Sequence, residues 1–75
     1  MHADDTLSIR VNGEHRRVAA GMTLAQFASE VLGLEPATVI VERNLEMVPR
    51  SALGDVKVED GDELEITHTV GGGGR

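Results

Sequence analysis

Residues 7–13 read LSIRVNG, and this stretch decides the first part of the fold. Apolar side chains alternate with polar ones up to Val11, which is the period of a strand with one buried face. The dipeptide Asn12-Gly13 then favours a tight type I′ turn, because both central positions of that turn need positive φ. We therefore expect an antiparallel hairpin whose second strand covers residues 14–19.

A helix is expected next. Thr23 is a candidate N-cap, and Gln26 follows it at the spacing of a capping box. Apolar residues then recur at helical spacing, which predicts one apolar stripe for packing on a sheet. The stripe consists of Leu24, Phe27, Ala28, Val31 and Leu32. Gly33 is placed to end the helix as a left-handed cap.

The middle of the chain predicts two more strands. Residues 38–41 (TVIV) form a continuous β-branched run, which is typical of a strand that is enclosed on both sides and lies in the middle of a sheet. A turn at 44–46 leads into a short strand at 47–48. Pro49 must end that strand or leave it at an edge, because it has no amide hydrogen to donate.

The last part predicts a helical turn at 51–54, a turn at Asp60-Gly61 and a final alternating strand over 64–68. The complete order is strand, strand, helix, strand, short strand, strand. This is the β-grasp order, an α+β fold with a mixed sheet of four to five strands and one main helix on one face. We expect one domain at 1–70 and a glycine-rich tail at 71–75.

Composition limits the function. Thirteen acidic residues against seven basic ones give a net charge of -6, which argues against a nucleic-acid partner. Six acids crowd one segment and predict either docking on a basic surface or a solvated acidic face; they are Asp55, Glu59, Asp60, Asp62, Glu63 and Glu65. A turn explains Asp60 and Asp62 better than a paired-carboxylate catalytic site does.

No metal site or membrane contact is expected. The chain has no Cys, and its three His lack the spacing of metal ligands. Its apolar runs are far shorter than the ~20 residues that span a bilayer. The start of the chain has no basic segment of the kind that opens a signal peptide, so we expect a cytoplasmic protein.

Four consecutive glycines, residues 71–74, precede Arg75. A segment without side chains can lie extended in a narrow channel and carry a terminal carboxylate into another protein's active site. Gly-rich chain ends are also common as plain linkers, so this alternative stays open.

Taken together, six segments resemble the ThiS-type sulfur carriers of thiamine biosynthesis, which are related to ubiquitin. The segments are 9–14 (IRVNGE), 23–24 (TL), 39–44 (VIVERN), 48–51 (VPRS), 60–66 (DGDELEI) and 70–73 (VGGG). The resemblance covers nearly the whole chain and favours the thiamine branch over the molybdenum-cofactor branch.

The resemblance implies that the carboxylate of Gly74, at the end of the Gly72-Gly73 tail, is adenylated by a partner similar to the ubiquitin-activating enzymes. That partner would supply the ATP and Mg²⁺ site, so the carrier itself is expected to bind no cofactor and not to be an enzyme. Sulfur from a donor such as a cysteine desulfurase would replace AMP, and the resulting thiocarboxylate would serve a thiazole synthase. Candidate partner-binding residues are Arg50, Glu63 and Glu65.

Two positions depart from the family pattern. Family members end on Gly-Gly, so Arg75 predicts either a precursor that a peptidase trims to Gly74 or a residue foreign to the natural chain. Asn44-Leu45 stands where an Asn-Gly turn is usual. Two other functions stay open, namely a carrier for the molybdenum cofactor or another sulfur-containing metabolite, and a β-grasp interaction module with a glycine linker.

Overall fold

A computed structural model describes residues 5–69. The strands are β1 (Thr6–Val11), β2 (Glu14–Ala19), β3 (Val39–Arg43), β4 (Glu46–Val48) and β5 (Glu63–His68). Between β2 and β3 lies one helix, in which the α-helical turn α1 (Leu24–Gln26) continues as a π-helical turn, Phe27–Val31. Two 3₁₀ turns cover Pro36–Thr38 and Arg50–Ala52. The predicted tail at 71–75, with Gly74, lies outside the described residues.

The strands form one mixed sheet in the order β2-β1-β5-β3-β4. β5 lies at its centre, parallel to β1 and antiparallel to β3. β2 pairs antiparallel with β1 and β4 pairs antiparallel with β3, so β2 and β4 form the two edges of the sheet. The expected α+β arrangement of a mixed sheet with one helix is confirmed.

The first hairpin turns as expected, with φ of +52° at Asn12 and +85° at Gly13. The Asn12 side chain has a second role. Its Nδ2 donates to the Ile66 carbonyl at 3.1 Å, and its Oδ1 accepts from the Ile66 amide at 2.7 Å. The pairing of β1 with β5 ends at Val11. The two side-chain bonds of Asn12 therefore extend the hydrogen bonding between these strands by one residue beyond that point.

The helix begins with the predicted capping box between Thr23 and Gln26. A regular α-helix was expected to continue to Gly33, and this expectation is wrong for the last turns. Gly33 does adopt the left-handed conformation, with φ of +70°. The amides on either side of it reach back five and six residues, from Leu32 to the Phe27 carbonyl and from Leu34 to that of Ala28. The five-residue bond has the spacing of a π-helix, and the six-residue bond closes the turn that follows it.

The core is aliphatic except for Phe27, which is fully buried and lies on the helix. Leu24 and Ala28 of the same helix are also buried, while Val31 and Leu32 pack at the margin of the core. The sheet and the following loops supply the remaining buried apolar residues, which are Ile9, Val11, Val18, Val39, Val41, Leu53, Val58, Leu64 and Ile66. The predicted apolar stripe of the helix therefore does face the sheet.

β3 differs from the sequence prediction in two ways. It was expected to be enclosed on both faces and to lie mid-sheet, but the side chain of Ile40 is 38% exposed and the centre of the sheet is β5. The reason is that one helix covers only one face of the sheet. A β-branched run fits a pleated strand with one open face as well as a strand with none.

We predict that Asn12→Gly lowers the free energy of unfolding by about 1–2 kcal/mol, since glycine keeps the positive φ but removes both bonds to Ile66. Urea denaturation measures this change. Asn12→Asp separates the two bonds, because it keeps an acceptor for the Ile66 amide but sets a carboxylate oxygen against the Ile66 carbonyl, and it should lose at least as much stability. Equal stability of Asn12→Gly and the wild-type chain would contradict the structural role of this side chain.

Candidate functional site

β5 ends at the place where the chain leaves the described domain. The amide of Thr69, the last described residue, donates to the Thr38 carbonyl at 2.9 Å, and its hydroxyl donates to the same oxygen at 3.3 Å. These bonds hold Thr69 beside the start of β3. The root of the tail is therefore fixed at this end of the sheet, whereas Gly72, Gly73 and Gly74 lie outside the described residues.

Arg50 completes the hydrogen bonding of β3 at the same end. The pairing of β3 with β4 ends at Val48 opposite Val41, and Pro49 has no amide hydrogen to extend it. Instead, Nε and Nη2 of Arg50 donate to the Val39 carbonyl at 3.3 and 3.2 Å. Within residues 5–69 no carboxylate forms an ion pair with Arg50. A fixed, exposed guanidinium thus stands near the root of the tail.

Arg50 borders an apolar groove of about 360 Å³ along the β3–β4 hairpin. The groove is lined by Val39, Ile40, Met47, Val48, Pro49 and Arg50. Met47 is 66% exposed there. The groove could receive an apolar group of a partner, with Arg50 next to it for a carboxylate.

Glu63 and Glu65 are exposed and alternate along β5 with the buried Leu64 and Ile66. They therefore lie on the open face of the sheet, away from the helix. The register places Glu42 of β3 directly opposite Glu65. The three carboxylates form what we call the acidic row, Glu42, Glu63 and Glu65.

The acidic row differs from the segment predicted by the sequence. Glu42 was missed, because it is remote in the chain and only strand pairing brings it to Glu65. Asp62, conversely, was counted with the exposed acids although it is only 4% exposed. Its carboxylate is directed into the protein, where Arg43 Nε donates at 2.9 Å, Asn44 Nδ2 at 3.1 Å and the Glu59 amide at 2.9 Å.

Asp62 thereby joins the end of β3 to the loop before β5. The Asp62 carboxylate, through its hydrogen bond, raises the pKa of the Arg43 guanidinium further above its ordinary value, against the opposing effect of partial burial. Arg43 also contacts Glu59 Oε1 at 3.2 Å. Arg43, Glu59 and Asp62 thus form a structural ion cluster, which holds the loop before β5 in place.

No group of three or more His, Cys, Asp or Glu within residues 5–69 is arranged to hold a metal ion. His15 bonds to Ser8 on the open face, His68 is exposed at the end of β5, and His2 precedes the described residues. In the same part of the chain no helix is long and apolar enough to cross a membrane.

The architecture and the exposed, tail-bearing end of the sheet define a ubiquitin-like β-grasp domain. A model of the ThiS family matches residues 9–73, and the chain belongs to that family. The suspected resemblance to the ThiS-type carriers is confirmed. A carrier family also agrees with the expectation that the chain is not itself an enzyme.

Three curated proteins illustrate the relationship. A thiazole synthase of Paramagnetospirillum magneticum is 46% identical over 67 residues, which cover 89% of this chain, and one of Magnetococcus marinus is 39% identical over the same length. The chain spans about one fifth of the length of these two relatives, since the matches cover 20% of each. The sulfur carrier protein ThiS of Bacillus subtilis is 48% identical over 40 residues, 53% of this chain and 61% of that protein.

Solved structures agree with the fold. The crystal structure of the thiamine biosynthesis protein ThiS from Geobacter metallireducens has a TM-score of 0.71 and 29% identity, and covers 89% of this chain and all of that one. A designed protein based on human erythrocytic ubiquitin has a TM-score of 0.55 at 18% identity, covers 96% of this chain and all of that one, and shows the fold alone.

We predict that Asp62→Ala lowers the free energy of unfolding by about 3 kcal/mol, because it leaves Arg43 and Asn44 without their shared buried acceptor. Thermal and urea denaturation measure the change. Asp60→Ala is the control on the same turn, since it removes one exposed acceptor of the Ser8 amide and should lower the stability by only ~1 kcal/mol. Similar losses in both variants would mean that Asp62 is not the central acceptor of this loop.

Proposed function

We propose that the chain is a sulfur carrier in thiamine biosynthesis. The observation that carries this proposal is the extent of the family match, which continues past β5 and includes Gly71, Gly72 and Gly73. The names of the relatives point the same way, because two are thiazole synthases and one is a sulfur carrier. They favour the thiamine pathway over the molybdenum cofactor as the destination of the sulfur.

The chemistry takes place at the carboxylate of Gly74. A carboxylate oxygen attacks the α-phosphate of ATP and pyrophosphate leaves, which gives an acyl adenylate. The terminal sulfur of the donor's persulfide then attacks the acyl carbon and AMP leaves, which gives an acyl disulfide. A second thiol attacks the donor's sulfur in that disulfide, which releases the thiocarboxylate and leaves a disulfide between the donor and that thiol. Activation is needed because a carboxylate is a poor electrophile until one oxygen becomes part of a good leaving group. The thiocarboxylate then supplies sulfur to the thiazole synthase.

The role of the carrier itself is to present the carboxylate of Gly74 to the active site of its partner. The partner that performs the adenylation supplies ATP and Mg²⁺, and a cysteine desulfurase or similar donor supplies sulfur. Glycines admit the tail to a channel in which a Cβ would clash. The reaction needs a free carboxylate at Gly74, so a peptidase is required wherever Arg75 belongs to the natural chain.

Docking uses the open face of the sheet together with the end of the sheet from which the tail departs. The acidic row gives the open face a negative region that complements a basic partner, and Arg50 offers donors to a partner carboxylate beside the apolar groove. Charged rows of this kind mainly raise the rate of association, whereas buried apolar contacts slow dissociation.

The tail predicts a separation of activity from stability. The chain that ends at Gly74 should form the thiocarboxylate with the adenylating partner, ATP and a sulfur donor, whereas chains ending at Gly72 or Arg75 should not. One residue changes the length of an extended chain by ~3.5 Å, and misplacement by ~1 Å can slow a reaction ~100-fold. All three forms should share one melting temperature.

Mass spectrometry of the intact chains detects the exchange of oxygen for sulfur and shows that no form is trimmed during the assay. Full turnover of the untrimmed chain ending at Arg75 would refute Gly74 as the reactive residue. A marked fall in melting temperature on shortening would show that the tail stabilises the domain.

The acidic row predicts a salt-sensitive association rate. Reversal of Glu63 and Glu65 to Lys should slow association with the adenylating partner at least several-fold at low salt, and the difference should shrink as salt rises, because exposed charges are screened beyond ~8 Å at physiological salt. Reversal of Glu30 and Glu35, which are exposed on and after the helix, changes the net charge equally and is the matched control. Stopped-flow association that is equally slow in both pairs would assign the effect to net charge alone.

A further inference from the structure

The exposed large apolar side chains of residues 5–69 all belong to one hairpin. They are Ile40, Leu45 and Met47, with exposures of 38%, 87% and 66%. Ile40 and Met47 line the groove beside Arg50, and Leu45 forms the tip of the hairpin. A single exposed apolar residue needs no explanation, but a set confined to one hairpin marks an interaction surface.

Leu45 is unusual in its backbone as well as its exposure. The β3–β4 turn has φ of +51° at Asn44 and +72° at Leu45. Glycine and asparagine adopt such angles readily, whereas a leucine does so at a cost in stability. Since the side chain is almost fully exposed, no packing within the domain offsets that cost.

The residues around Leu45 indicate the kind of partner surface that it would contact. It borders a small cavity of about 100 Å³ together with Arg10, Glu42, Glu63 and Glu65. The apolar tip thus stands next to the whole acidic row. A complementary surface would have an apolar socket for the leucine and basic side chains at its rim.

The position of Leu45 relative to the tail narrows the choice of partner. Asn44 pairs with Glu63 at the start of β5, and Thr69 pairs with Thr38 at its far end. Six residues of strand between these points span ~20 Å. A standard interface of ~800 Å² per partner is wide enough to cover that distance. A protein that receives the tail can therefore contact the groove and Leu45 at the same time.

We propose that Leu45 is an apolar docking anchor for the adenylating partner, inserted into a basic-rimmed socket on that enzyme. This inference rests on the proposed function, because it assumes the same adenylating partner. The acidic row accelerates the encounter and Leu45 slows dissociation. The turn keeps a leucine at positive φ because the exposed side chain is needed in the complex rather than in the free domain.

The test compares dissociation with stability in the chain ending at Gly74. Leu45→Gly and Leu45→Asn both suit the positive φ and remove the apolar side chain, so we expect them to dissociate from the cognate adenylating enzyme about tenfold faster, with melting temperatures no lower than wild type. Leu45→Met keeps an apolar side chain and should bind within about twofold of wild type. Biolayer interferometry and thermal denaturation supply the two readouts.

The proposal is overturned if Leu45→Gly dissociates at the wild-type rate, if the melting temperature falls in parallel with the loss of binding, or if Leu45→Met fails to retain binding. A dissociation effect seen only with the thiazole synthase, or a wild-type dimer that Leu45→Gly abolishes, would assign the surface to a different occupant and reject this one. Thiocarboxylate formation by the chain that ends at Gly74 and keeps Leu45 distinguishes failure of the anchor from failure of the proposed function. If it occurs while Leu45→Gly binds normally, only the anchor fails; if it does not occur, the proposed function fails.

Discussion

The buried carboxylate of Asp62 is the interaction on which the arrangement of the sheet depends. It accepts from Arg43 and Asn44 at the end of β3, while its main-chain carbonyl accepts from the amide of Arg10 in β1. One residue therefore connects the two strands between which β5 is inserted. Because Asp62 immediately precedes β5, these bonds fix where the central strand begins, and its six-residue length then fixes where it ends.

The same arrangement leaves one face of the sheet uncovered. Residues 5–69 supply one helix longer than a single turn, and this helix buries its apolar stripe on the other side. The open face is then free to carry charge and exposed apolar groups without loss of core packing. In this protein the acidic row and the apolar β3–β4 hairpin occupy that face, so the features that hold the domain together and those offered to a partner lie on opposite sides of one sheet.

Features that depend on neighbouring residues could be predicted from the sequence. The turn at Asn12-Gly13 and the capping box at Thr23 each need only a few consecutive residues, and both are present. The burial of Asp62 and the pairing of Glu42 with Glu65 could not be predicted, because partners far apart in the chain decide them. The exposure of Ile40 was missed for a related reason, since a β-branched run indicates a strand but not which of its faces another element covers. The reactive Gly74 was proposed from the tail and the family pattern, and it stays a prediction.

A glycine tail also sets a requirement for the rest of the domain. Fixing the backbone of a residue in one conformation costs about 1–2 kcal/mol, and glycine loses more freedom than other residues. Holding four glycines extended in an active-site channel therefore costs at least ~4 kcal/mol, and glycines offer no side chains whose burial could offset it. The favourable free energy of binding has to come from the folded domain, from surfaces close enough to the tail to engage at the same time. Such a surface lies along β3, which begins beside Thr69. It consists of Arg50, the groove next to Arg50 and the β3–β4 hairpin with Leu45 at its tip.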